Sequence, residues 1–343
     1  MASKATDPIR PWFDAAEEMG EFIGIRFGRV TPGAVEPEWM FLPHTDYDGI
    51  GGLAHLLRGR GAELPRLTQI KHPAAPSWLP LLKSAPRMLV PFQRVKWGRL
   101  EGEPGPCSRT TPPPAVAWHV FSEGATTQIR RACRKASFTV NSFLLKHLSK
   151  AVRPYLADQS SFVPWMIPVN LRGKVSRERD TQNHSSYVSV KVQSYSTVRN
   201  IHSDIYSALS RGEHWANWYS YRASSGLTDG LRKQLLKMER CTSQWNLGGF
   251  SNLGDWDAEK KITLSDCAGP WLFSPPVLRF QRLGAGCVTF QNRLSLTLQL
   301  HPELTTSTET PKAWVQSWVK EIEMDLASML PEPVILPSWT AAC

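Results

Sequence analysis

His44 and Asp48 are the residues whose types and spacing could do chemistry. They stand in the run Pro43-His44-Thr45-Asp46-Tyr47-Asp48-Gly49. An imidazole titrates near neutrality, so a histidine projected into a cleft can take a proton from a hydroxyl or amine and later return it. Asp48 could orient that ring or fix the loop through an arginine, and Gly49 lets the backbone turn into the next element. The same residues also fit a plain structural role, a loop histidine beside an aspartate that caps a helix. Spacing alone leaves both readings open.

The elements around this run must place it. Phe22–Val30 and Trp39–Leu42 read as strands, punctuated by Pro32–Gly33 and Glu36–Pro37. Leu53, Ala54 and Leu57 then recur at helical spacing, so the unit is strand, tight loop, helix. Residues Leu64–Leu100 are mixed and Pro-interrupted, with short helices expected around Trp78–Leu82. The stretch Glu103–Pro114 reads as a linker, since proline stiffens the chain and lacks a ladder donor. This divides the chain into 1–102, a crossover at 103–114, a second lobe over 115–330, and a tail over 331–343.

Beyond the crossover, Val116–Phe121 reads as a strand and Ala125–Ala136 as a basic helix. Thr139 is placed to cap a long helix with one apolar stripe. Phe162–Pro168 and His184–Gln193 read as strands, Ile201–Tyr221 as one helix, and Asn246–Gly254 and Lys261–Leu264 as strand–turn signals. Cys287–Phe290 and Leu294–Leu300 form an expected hairpin with Leu294, Leu296, Leu298 and Leu300 on one face. A last helix is expected to start with Thr310 as cap and Pro311 at its first position. The class is α+β with a mixed sheet.

Composition narrows the function classes. The chain has 343 residues, 41% hydrophobic and 20% charged, which is globular rather than disordered. Forty Lys+Arg against thirty Asp+Glu give +10, an excess that favours anionic partners. No helix-turn-helix, zinc-finger or RNP-like pattern accompanies it, so no specific nucleic acid is expected. The six cysteines are never closer than 20 residues, so no zinc-ligand spacing exists and no metal is expected. Neither a signal peptide nor a membrane-spanning run is visible, and the expectation is a reduced, cytoplasmic protein.

His44-Thr45-Asp46-Tyr47-Asp48-Gly49 resembles the HxxxDG signature of the CoA-dependent acyltransferase superfamily. That group includes chloramphenicol acetyltransferase, peptide-synthetase condensation domains, wax ester synthases and alcohol acetyltransferases. Pro168-Val169-Asn170-Leu171-Arg172, followed by Gln182-Asn183 and the strand around Val188, is similar to a stretch of wax ester synthases. Ser251-Asn252-Leu253-Gly254 is similar to the family's SNxG strand.

The resemblance implies a two-lobed chloramphenicol-acetyltransferase-like fold, α+β with mixed sheets and flanking helices. The N-terminal lobe is expected to be reduced, because only 43 residues precede His44. It implies no bound cofactor, with acyl-CoA or an acyl carrier protein as donor and a small-molecule acceptor. His44 would be the general base, Asp48 structural, and Ser251 and Asn252 donors at the tunnel. Gly49, Arg172 and Asn183 would support the motif. Arg130, Arg131, Arg134 and Lys135, with Arg172, Lys174, Arg177 and Arg179, are candidates for phosphate contact, though most such charges form a solvated face. Trp215, Trp218 and Tyr219 line a pocket on one reading and fill core on the other. In the family the arginine that holds the motif aspartate usually comes from upstream, where Arg10, Arg26 and Arg29 stand. A reduced but active lobe, a homo-oligomer completing the site, and a silent protein that binds a metabolite or partner are the three expectations that follow.

Overall fold

The computed structural model describes residues 7–31, 33–67, 96–159, 162–175, 177–242, 247–256 and 269–329. The short helices expected around Trp78–Leu82 and the strand signal at Lys261–Leu264 lie outside the described residues. In chain order the elements are α1 (Arg10–Glu18), β1 (Gly24–Arg29), β2 (Glu38–Pro43), α2 (Gly49–Gly59), β3 (Val116–Val120), α3 (Glu123–Lys135), α4 (Val140–Val152), β4 (Val163–Asn170) and β5 (Ser185–Val192). They continue as α5 (Val198–Ser210), α6 (Glu213–Ala223), α7 (Asp229–Thr242), β6 (Gly248–Asp255), β7 (Trp271–Ser274), β8 (Leu283–Phe290), β9 (Arg293–Leu300) and α8 (Glu309–Met329).

Two sheets organise the chain. A three-stranded antiparallel sheet runs β2-β1-β7, and a six-stranded mixed sheet runs β3-β9-β8-β6-β4-β5. The second is parallel at β4–β6 and β6–β8 and antiparallel elsewhere. Along β9, Leu294, Leu296, Leu298 and Leu300 enter the large core under the helices, as the alternation demands. Ser295, Thr297 and Gln299 therefore face the other way, and all three are buried.

That second face is where the small sheet docks. The carbonyls of Trp271 and Phe273 on β7 accept hydrogen bonds from the hydroxyls of Ser295 and Thr297. The edge of β7 away from β1 thus spends its acceptors on the face of the large sheet. Gly286 makes this approach feasible: a Cβ there would sit 1.8 Å from the Phe273 carbonyl oxygen. A second core fills the angle between the sheets, with Ile25, Phe27, Leu53 and Leu57 packed against Leu253, Phe273, Val288 and Phe290.

Several elements differ from the sequence reading. The helix expected over Ile201–Tyr221 is two helices, because Gly212 adopts φ +74°, a left-handed conformation that ends α5 and starts α6. Thr310 does not cap the last helix, which begins at Glu309; its hydroxyl instead donates to the Glu101 carbonyl at 3.1 Å. The sequence reading names no element for α1, α7 or β7. Trp215 is buried and meets Trp218 edge-on at 6.2 Å, while Ser186 and Asn217 bond across from β5 to α6, so the aromatic run packs α6 on the sheet.

Candidate active site

Strand β2 ends at Pro43, and His44 N donates back to the Ile23 carbonyl at 3.0 Å. The next residues form a tight turn, with Asp46 N and Tyr47 N both donating to the Pro43 carbonyl at 3.1 Å. The turn folds under the His44 ring and brings the Tyr47 carbonyl to 2.8 Å from Nδ1. A carbonyl can only accept, so Nδ1 carries the proton and Nε2 holds the free lone pair. The ring is half-buried and lies against Phe13 of α1, with centroids 4.8 Å apart. Burial pushes its pKa below the usual histidine value; the Tyr47 carbonyl, Asp48 and Asp7 pull the other way without overcoming it. His44 is therefore a neutral imidazole at pH 7.

Asp48 faces away from that ring. It is the N-cap of α2, with Oδ1 accepting from Gly51 N at 2.7 Å. Arg172 takes the carboxylate with both terminal nitrogens, at 2.9 and 2.8 Å, and His184 N donates to Oδ2 at 2.9 Å. Both side chains are nearly inaccessible, at 3% for Arg172 and 6% for Asp48. Burial alone would raise the carboxyl pKa, but Arg172 and the two backbone N–H groups outweigh it and hold Asp48 below the ordinary carboxylate value. With its oxygens committed, Asp48 cannot serve as the third member of a relay.

The arginine that holds the motif is therefore Arg172, downstream, and none of the upstream three. Arg10 reaches Asp46 at 3.3 Å. Arg26 is buried on the other face of β1, where its guanidinium lies over Trp39 and Phe41 and donates to the Pro113 carbonyl. Arg29 leads out of β1 at the end remote from His44. The reason is topological: the connection after β4 crosses under α2, so a residue 124 positions from Asp48 in sequence meets it in space.

Gly49 has a different job from the one its type suggests. Its φ is not positive, and it is the first residue of α2. A Cβ at Gly49 would sit 2.6 Å from Leu253 and 2.8 Å from Phe273, so it allows close packing against β6 and β7. Asn183 is beside the motif, its amide donating to the His44 carbonyl at 3.3 Å and its oxygen accepting from Ser185.

Ser251 and Asn252 part company, because neighbouring strand residues point to opposite faces. Ser251 shares a face with Leu253 and pairs across with Gly286, so it looks toward β7 and the motif helix. It is buried, and among the described residues its hydroxyl has no hydrogen-bond partner. Asn252 looks toward the helices instead. Its oxygen accepts from Gly254 N at 2.9 Å and closes a bulge in β6. It also lines a cavity of about 260 Å³ with Arg130, Thr139, Asn141, Asp255 and Thr289. Arg130 there pairs with Asp255 and Asn292.

Among the described residues, one group brings metal-ligating atoms together: Glu21, Cys107 and His301, within 4.8 Å of one another. Its hydrogen bonds argue against a metal there. Glu303 N donates to His301 Nδ1 at 3.2 Å, so Nε2 carries the proton and donates to Glu21 Oε2, also at 3.2 Å. A ligating histidine needs the reverse arrangement, with Nδ1 as donor. Glu21 is further engaged by Arg279, which makes this a closed ion-pair network.

No family model matches the sequence, and no curated protein matches it. Solved structures do match in three dimensions. Trichothecene 15-O-acetyltransferase from Fusarium sporotrichioides superposes with a TM-score of 0.55 at 11% identity, covering 83% of this chain and 65% of its own. The epimerization domain from the third module of tyrocidine synthetase B gives 0.52 at 12%, covering 86% and 70%. This chain has the chloramphenicol-acetyltransferase-like fold. Polyketide synthase associated protein 5 from Mycobacterium tuberculosis gives 0.50 at 14%, covering 89% and 76%. The chain spans about two thirds to three quarters of the length of these structures. Phe13, Arg58 and Asp180 belong to the surroundings of its motif but stand outside any sequence signature. Only their place in the fold brings them there.

Proposed function

We propose that this protein is an acyltransferase that moves an acyl group from a thioester to a hydroxyl or amine, with His44 as general base. The observation that carries this reading is the state of the imidazole: neutral at pH 7, its Nδ1–H held by the Tyr47 carbonyl, and Nε2 left with a lone pair. Nε2 takes the proton from the acceptor's O–H or N–H as that atom attacks the thioester carbonyl carbon. The tetrahedral oxyanion then collapses, the C–S bond breaks, and the thiolate leaves with the proton from the His44 imidazolium. The Tyr47 carbonyl stabilises that imidazolium through Nδ1–H. Ser251, free to donate and on the face turned toward the motif helix, is the oxyanion-donor candidate, a role typically worth about 3 kcal/mol. Asn252 faces the opposite side and is assigned to the strand bulge. No acyl-enzyme is required.

The donor is an acyl-CoA or a carrier-protein thioester. The net charge of +10 supports an anionic co-substrate. The fold's likeness to an acetyltransferase supports the reaction class.

Thiol release from a panel of acyl-CoAs, with alcohol and amine acceptors, tests the reading. His44→Ala should fold normally and lose about 10²–10⁴-fold in rate, the usual contribution of a general base. Equal rates in the two proteins would remove the assignment and leave a binding role.

A further inference from the structure

We propose that Asp180, acting through Arg58, is a positioning residue for His44: the connection between β4 and β5 grips α2 at both ends, and Asp180 is the joint between the two grips. The inference rests on the acyl-transfer reading for its kinetic arm only. At the N-terminal end of α2, Arg172 takes Asp48 as described. At the C-terminal end, Arg58 takes Asp180 with both terminal nitrogens, at 3.0 and 2.8 Å. Asp180 connects the two pairs. Its carboxylate accepts from Arg58 and from Leu67 N at 2.9 Å, while its backbone carbonyl accepts from Arg172 Nε at 2.8 Å. Both arginines thus find their place through one residue.

The leverage on His44 follows from the contacts of the same connection. Asn183 donates to the His44 carbonyl, His184 N binds Asp48, and the Arg179 guanidinium lies over the Tyr47 ring at 5.6 Å. Tyr47 is the residue whose carbonyl sets the imidazole. The start of α2 has little intrinsic rigidity, because Gly49, Gly51 and Gly52 fall in its first turn and each costs about 1 kcal/mol of helix propensity. Its direction must come from outside. The Arg58–Asp180 fork supplies that direction from the far end, where a small rotation of α2 would be largest at Asp48 and His44. Lys would keep the charge at position 58 but not the planar fork.

The test uses the full chain and three variants, Asp180→Asn, Arg58→Lys and Asp180→Asn/Arg58→Lys. Two readouts are taken. The first is the His44 titration midpoint by NMR, assigned by the resonance missing in His44→Ala. The second is kcat and KM for thiol release. The expected result is a His44 midpoint raised toward its ordinary value as packing loosens. With it goes a fall in kcat of roughly tenfold, since small misplacements of a reacting group are costly, with KM within about twofold. The double variant should be no worse than the poorer single. An unchanged His44 midpoint in folded Asp180→Asn overturns the proposal, as do losses confined to KM or losses that multiply in the double variant. If Asp180→Asn fails to fold, Arg58→Lys alone decides by the same two readouts. Wild-type turnover no faster than His44→Ala would defeat the acyl-transfer reading, and the His44 midpoint would then decide the positioning claim by itself.

Discussion

A histidine becomes a useful base when one nitrogen is occupied and the other is left alone. His44 meets this through a backbone carbonyl three residues on, and the motif carboxylate takes no part in it. The pH dependence follows. Because burial holds the His44 pKa below 6.5, the neutral imidazole predominates at pH 7. The rate should therefore climb on the acid side, at a pH below 6.5, and lie flat through neutrality. A midpoint above 6.5 in the kcat/KM profile would contradict this assignment. Asp48 answers a different question, how the loop is held. Truncating Arg172 to Ala leaves a buried carboxylate with two N–H donors and no counter-charge, a change worth about 3–5 kcal/mol. Denaturant unfolding of Arg172→Ala should show a loss of that order, and a loss under 1 kcal/mol would mean that the pair is not buried as described.

At the scale of elements, the decisive contact is β7 on the face of the large sheet. Thr297→Val removes the hydroxyl that serves the Phe273 carbonyl while keeping the shape, so it should cost about 1–3 kcal/mol. Gly286→Ala pushes a methyl into that same carbonyl and should cost about 3 kcal/mol or more, with the two sheets forced apart. Thermal unfolding of both variants checks the ranking; a neutral Gly286→Ala would show that β7 does not dock there. Neither contact could be read from the chain. Trp271–Ser274 is four residues long and wholly buried, so it shows no polar alternation to mark it as a strand. The leucines of β9 were legible because a period of two sets them apart from Ser295, Thr297 and Gln299, and the strands before His44 because Pro, Gly and Glu-Pro turns bound two short apolar runs.

At the scale of the molecule, buried histidines set the response to acid. His44, His119, His147 and His184 all have depressed pKa values, led in each case by burial, with His119 pushed down to about 4. The unfolded chain binds protons at these sites near pH 6.5 while the folded chain does not, so stability falls as pH drops from about 6.5 toward 4. Asp48 and Asp180 act lower. Asp180 sits at about 2, chiefly because of its hydrogen bonds to Arg58, and its contribution is lost as pH falls from 3.8 toward 2. Thermal unfolding against pH should show decline through both windows. A melting temperature constant between pH 6.5 and 4.5 would contradict the burial of the histidines.

The sequence by itself determined the strand–loop–helix unit, the HxxxDG spacing of His44, Asp48 and Gly49, and the order of the resembling segments along the chain. These are local matters of period, turn chemistry and residue type, and they survive without knowledge of what lies opposite. Only the tertiary structure decided which arginine holds Asp48, which of Ser251 and Asn252 faces the motif, and that Phe13 of α1 covers the imidazole. It also decided that Arg58 and Asp180 join the same assembly, 122 residues apart in the chain. The reason is physical. Partners such as these are chosen by how sheets cross and where strands turn over, and a strand register one residue different would exchange every inward side chain for its neighbour.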